Sequence, residues 1–122
     1  MFSDDIQAFV VNNIQSIAQI EALVLLRSDP ARAWDAGSLA GRLYIPVEES
    51  VRLLKYMTGL SILIEDAGAY RYSCASADLD DIVHRLVELY KTHLIPITNI
   101  IHSRGSLRIQ EFADAFRLRK DK

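Results

Sequence analysis

The sequence predicts a mainly α-helical domain closed by one small β-hairpin. Three observations predict it. Apolar residues recur at helical spacing along most of the 122 residues. Prolines, glycines and capping residues cut that pattern into separate helices. One stretch departs from it: two short β-prone runs, SILIE and AYRYS, flank Asp66-Ala67-Gly68.

The elements follow in order. DDIQAFVVNNI, residues 4–14, sets Ile6, Phe9, Val10 and Ile14 at helical spacing, and Asn12 and Asn13 weaken its end. Ser16 and Gln19 form an S-x-x-Q capping box that starts a new helix. That helix, IAQIEALVLLR, is apolar on nearly every side around Ala22 to Leu26, so it belongs at the centre. Asp29-Pro30 ends it, because proline cannot continue the hydrogen-bond ladder. Trp34 reads as a packing anchor, and Asp35 as the N-cap of a short helix, AGSLAGRLY.

Pro46 suits the first turn of the next helix, PVEESVRLLKYMTG, with Glu48 and Glu49 near its positive end. Val47, Val51, Leu53, Leu54 and Met57 share its inner side; Glu48, Glu49, Arg52, Lys55 and Tyr56 share the outer. Gly59 is expected to end it, with Leu60 returning to the core. After the hairpin, Ser76 or Asp78 caps a long helix, DLDDIVHRLVELYKTHLIPITNIIHS, striped by Leu79, Val83, Leu86, Tyr90, Ile97 and Ile101. Pro96 should kink it. Gly105 breaks it, and Ser106 caps a final helix with Ile109, Phe112, Ala113 and Phe116 on one face, followed by RLRK.

Helix, short helix, tight turn, helix, hairpin: this order resembles the winged helix-turn-helix domain. The residues that carry the likeness are AGSLAGRLYIPVEESVRLLKYMTGL and SILIEDAGAYRYS. Ala40 and Gly41 are the small residues expected to let helices approach, and Tyr44 to Val47 the turn. The domain expectation is one unit over residues 1–122, with a winged-helix core at 16–75. Residues 1–14 and 76–119 form flanking helices, similar to the dimer-building helices of MarR-type regulators. The resemblance implies a third helix in the DNA major groove and a wing on backbone phosphate. Carried onto this chain, Arg52, Lys55 and Tyr56 would face the groove, beside Glu48 and Glu49. Arg71 would serve the wing.

Charge does not reinforce that implication. The formal net charge is −2. Residues 1–103 hold eight basic and thirteen acidic side chains, while residues 104–122 hold six and three. The body is therefore acidic and the tail basic, and an acidic body does not attract nucleic acid at long range. Arg52 and Lys55 are balanced by Glu48 and Glu49; on the wing, Glu65 and Asp66 outnumber Arg71. In the tail, Arg117, Arg119 and Lys120 suit a helix C-terminus, and with Arg108 are also candidates for phosphate or an acidic partner.

The motifs point away from catalysis. The sequence has no P-loop, G-x-G-x-x-G, G-x-S-x-G or H-E-x-x-H. His84, His93 and His102 stand nine residues apart, so on a straight helix successive histidines face opposite sides and make no metal site. Asp80, Asp81 and Glu88 near His84 read as solvated helix pairing. The single Cys74 forms no internal disulfide and reads as a half-buried structural thiol rather than a redox sensor. No enzyme activity, metal or cofactor is expected.

No apolar run approaches the roughly 20 residues of a membrane span. MFSDDIQAFV carries acids where a secretory leader carries bases, so a cytoplasmic protein is expected. The apolar surplus of the long helix, Leu86, Leu89, Tyr90, Ile95, Ile97, Ile100 and Ile101, predicts a homodimer seam with Leu86, Tyr90, Ile97 and Ile101 as its candidate residues, completed by Phe112 and Phe116. The competing reading covers that stripe with the N-terminal helix of the same chain. Two functions follow: a dimeric transcriptional regulator that contacts DNA, or a winged-helix module that binds another protein.

Overall fold

The computed structural model describes residues 3–103. The expected final helix, with Phe112, Phe116, Arg117, Arg119 and Lys120, lies outside the described residues, as do Gly105, Ser106 and Arg108.

Helix α1 (Asp4–Asn13) carries Asp4 and Asp5 in its first turn and buries Ile6 and Val10. It meets α2 (Ile17–Ser28) at an elbow of 112°. Gln19 builds that elbow. Its backbone N–H donates to Ser16 Oγ at 3.1 Å, the cap bond that the sequence predicts. Its buried side chain accepts from the Gln15 amide and donates to the Asn13 carbonyl. The return bond thus lands one residue before the cap, and it satisfies backbone groups freed by the break between helices. Helix α2 is the central element, packed against later helices and the wing, with Ile20, Ala22, Leu23 and Leu26 fully buried.

Helix α3 (Ala36–Leu43) starts at Asp35, whose carboxylate accepts from the Ser38 amide at 2.7 Å. That bond holds the Asp35 carboxyl below its ordinary range. The helix ends at Tyr44 in the left-handed conformation, φ 57°. Helix α4 (Val47–Gly59) has Pro46 as its N-cap and packs on α3. Ser50, fully buried, donates its hydroxyl to the Ala36 carbonyl at 2.9 Å and pins the two helices together. Leu53, Leu54 and Met57 fill the core beneath.

Two expectations for this region change. Val47 is 51 % exposed, not inward, because the helix begins only there and its first turn overhangs the core. Gly41 is exposed, and a Cβ built on it meets nothing within 4 Å, so only Ala40 serves the close approach. Gly59 ends the helix as expected and Leu60 packs against the core; a left-handed residue follows at Ser61, φ 67°.

Strands β1 (Leu63–Asp66) and β2 (Ala69–Tyr72) pair antiparallel, from Leu63 with Tyr72 to Asp66 with Ala69. Ala67 and Gly68 both take positive φ, the two-residue turn whose twist matches paired strands. Four-residue strands alone would be marginal. Trp34 adds a one-residue antiparallel bridge on the far side of β2. Its N–H donates to the Tyr70 carbonyl at 2.7 Å, and the Tyr70 N–H returns a bond at 2.8 Å. The chain is therefore mainly helical with a small wing, in winged-helix order.

Helix α5 (Ala77–Thr92) is capped by Ser76 Oγ, which accepts from the Leu79 amide. It buries Val83, Leu86, Val87 and Tyr90 and packs on α1 and α2. The expected kink is a full interruption: α5 ends at Thr92, His93 leaves helical geometry, and α6 (Leu94–Ser103) restarts. Pro96 cannot donate to the Thr92 carbonyl, but it is tolerated in the first turn of a new helix. No single helix among the described residues is long and apolar enough to cross a membrane.

Candidate nucleic-acid interface

The fold packs α4 against the first strand of the wing and leaves the candidate cations exposed. Arg52 and Lys55 are exposed on the outer side of α4, and Tyr56 is half-buried between them and the core. Arg71 is exposed opposite Ile64 across the strand pair, on the side of the wing away from buried Tyr70. Among the described residues, none of these three cations forms an ion pair. Arg52 also borders a shallow depression of about 260 Å³ with Gln15, Ser16, Glu49 and Leu53, where α4 meets the α1–α2 elbow.

The acids are placed on the same surface. Glu48 and Glu49 occupy the first turn of α4. Glu65 and Asp66 are exposed at the wing tip. Two further features were not singled out in the sequence. Tyr44 is 94 % exposed at the α3–α4 turn, next to exposed Val47. Arg32 and Arg42 gather on Trp34: their Cζ atoms lie 3.7 and 5.9 Å from the indole centroid. A stack of residues two and eight apart in sequence, across a loop and a helix, has no periodic signature. The available signal was an arginine on either side of a lone tryptophan.

The flank is built differently. Leu86, Tyr90, Ile97 and Ile101 lie in the core of the single chain, none more than 7 % exposed. As seam residues they would have no surface to offer, and this part of the expectation is corrected. The physical reason is local: α1 packs on α5 and the α5–α6 break turns the later isoleucines inward. Of the apolar surplus, Ile95 is exposed, beside exposed Leu94. Tyr90 donates its hydroxyl to Glu21 at 2.6 Å, and burial, then that bond, pushes the phenol well above its ordinary pKa. An open depression of about 560 Å³ runs between α1 and α5, lined by Ser3, Ile6, His84, Arg85, Glu88, Leu89 and Thr92.

Cys74 sits in a polar cluster that ties the wing to α5. Its thiol donates to Tyr72 Oη at 3.1 Å, and Tyr72 Oη donates to Asp80. Arg27 of α2 stands over the Tyr72 ring, 3.9 Å from Asp80. The base near Cys74 in space is therefore Arg27, not Arg71. Burial pushes the Cys74 thiol up, against the direction a reactive cysteine needs. Among the described residues, no group of three His, Cys, Asp or Glu side chains is placed to hold a metal ion.

No protein-family model matches the chain, and no curated protein matches it. Among solved structures, the chain is similar to a possible transcriptional regulator from Methanosarcina mazei Go1. The two are 21 % identical with a TM-score of 0.49, over 76 % of this chain and 83 % of that one.

Proposed function

We propose that this chain is a single-domain winged-helix regulator that acts as a homodimer, in the manner of MarR-type proteins. In this reading α4 lies in the major groove and the wing rests on backbone. Arg52, Lys55 and Tyr56 face the groove; Arg71 and the basic tail, with Arg117, Arg119 and Lys120, meet phosphate. The observation that carries the reading is the state of the cations. On α4 and the wing every lysine and arginine is exposed and without an ion pair among the described residues. An unpaired exposed cation can neutralise a phosphate and release its counterion without first breaking an internal bond.

Fluorescence anisotropy with genomic duplex fragments over a salt series tests it. The double variant Arg52→Ala/Lys55→Ala should weaken binding and relax its sequence preference, while Arg71→Ala, one phosphate contact, should make the log–log salt slope shallower by about 0.9. No binding by the full-length chain at low salt would overturn the reading. The dimer has its own test. Since Leu86, Tyr90, Ile97 and Ile101 are buried in one chain, a seam would use Leu94, Ile95 and the segment carrying Phe112 and Phe116. Sedimentation at micromolar concentration should give a dimer; a clean monomer overturns it.

A second reading is a protein-binding module. It is favoured by Glu48, Glu49, Glu65 and Asp66 on the same surface and by the exposed apolar pair Tyr44 and Val47. Affinity capture with and without nuclease separates the two: a partner that survives nuclease supports this one.

A further inference from the structure

We propose that Arg32 and Arg42, held on the ring of Trp34, form a clamp for phosphate oxygens, separate from the α4 and wing cations. The inference goes beyond the reading of α4: that reading supplies one source of the ligand, the backbone of a duplex, and free phosphate is the other.

The argument starts with Trp34. The side chain is 2 % exposed, and its Nε1 is buried with no hydrogen-bond partner among the described residues. A buried indole usually finds a partner for that N–H. A phenylalanine or leucine would fill the space without the unsatisfied donor. What an indole adds is the strongest π face for a cation. The indole is in use: the Arg32 guanidinium stacks on it at 3.7 Å, and the Arg42 guanidinium lies 5.9 Å from its centroid.

Two guanidiniums within 6 Å of one ring centroid repel each other, so the site is charged and unbalanced. The acids nearest in sequence do not neutralise it. Asp35 is committed to the Ser38 amide, and neither Asp29 nor Asp35 forms an ion pair with Arg32 or Arg42. The platform is also fixed. Two backbone bonds tie Trp34 to Tyr70 of β2, and the Arg32 amide bonds the Asp29 carbonyl after the α2 terminus. Stacking leaves the in-plane donors of a guanidinium free, and those donors match an oxyanion in bidentate geometry. A phosphate oxygen set between the two arginines relieves their repulsion.

The chain contains one tryptophan, so its emission reports from this site. The full-length protein is titrated with a random-sequence duplex and, separately, with inorganic tripolyphosphate. The expected result is a saturable, salt-reversible change in emission that Arg32→Gln/Arg42→Gln abolishes. For the duplex, that variant should also bind roughly tenfold more weakly at low salt, with a slope shallower by about 1.8. Arg32→Lys/Arg42→Lys keeps the charges but not the planar fork, and should lose most of the response. Thermal melts confirm that both variants are folded. A duplex response alone assigns the clamp to nucleic-acid backbone. A tripolyphosphate response without any duplex binding keeps the clamp, as a free-phosphate site, and overturns the DNA reading of α4. If duplex binds but the glutamine variant keeps wild-type affinity, slope and emission, the clamp is overturned and the α4 reading stands. If neither probe moves the emission, the clamp is overturned outright.

Discussion

Arg85 on α5 has carboxylates of Asp5 and Asp81 at 2.6 and 3.0 Å; Arg52 on α4 has none within ion-pair distance. The contrast extends to the neighbourhoods of both. On the flank, Arg27 pairs with Asp80 and Lys91 with Glu88. Around α3, α4 and the wing, Arg32, Arg42, Arg52, Lys55 and Arg71 have no ion-pair partner among the described residues, although acids stand on the same surface. Exposed ion pairs contribute little to stability, typically about 0–1 kcal/mol. Leaving five cations unpaired is therefore nearly free for the fold, while pairing on the flank fixes geometry: it fastens the start of α1 to α5. One region uses its charges on itself, and the other keeps them available.

The largest effects should come from the core that joins these regions. Leu54→Ala in α4 and Leu86→Ala in α5, both fully buried, should each cost about 2–5 kcal/mol. Urea melts followed by Trp34 emission and by far-ultraviolet circular dichroism should shift together for both variants. If Leu86→Ala melts the helices while the Trp34 midpoint stays put, the two regions are separate folding units and the single-domain proposal fails. A smaller loss sharpens the α3–α4 joint: Ser50→Ala should cost about 1 kcal/mol through its buried bond to the Ala36 carbonyl. No change in the urea midpoint would show that the bond is not a fastening.

The smallest effect separates the flank from the cationic surface by pH. The Arg85 and Ser3 hydrogen bonds hold the Asp5 carboxyl well below its ordinary value of 3.8. A depressed folded pKa means the contribution is complete above 3.8 and fades as pH falls below it. Asp5→Asn should therefore lower the urea midpoint slightly at neutral pH, and the gap to wild type should close at the acid end. A gap that widens on acidification would reverse the assignment. The same variant should leave duplex affinity unchanged, since the pair lies away from α4 and the wing.

Much of this fold was legible in the sequence because its signals were periodic or positional. The Ser16–Gln19 cap, the Asp29-Pro30 stop, the Asp35 cap and the Asp66-Ala67-Gly68 turn each rest on near-neighbour chemistry, and each is where it was expected. The parts that were not legible depend on distant partners. A bridge one residue long, at Trp34, has no alternation to read; only its two bonds to Tyr70 join it to the wing. The stripe on α5 was correctly apolar, but whether it meets α1 or a second chain is a question of packing, which periodicity does not answer. At the site, Arg52, Lys55 and Arg71 were readable as surface cations from helical phase and strand register. Their unpaired state, and the stack of Arg32 and Arg42, required the assembled fold.

The wing is fastened at its base by the Ser73 amide on the Ile62 carbonyl and partway along β2 by the Trp34–Tyr70 bonds, one residue pair short of the turn. Its tip is an alanine held at φ 52° beside Gly68, where an added Cβ would meet nothing within 4 Å beyond its chain neighbours. Grafting is the practical consequence: a reporter peptide or dye-bearing loop spliced between Ala67 and Gly68 enters open solvent and leaves the anchoring end of the hairpin untouched.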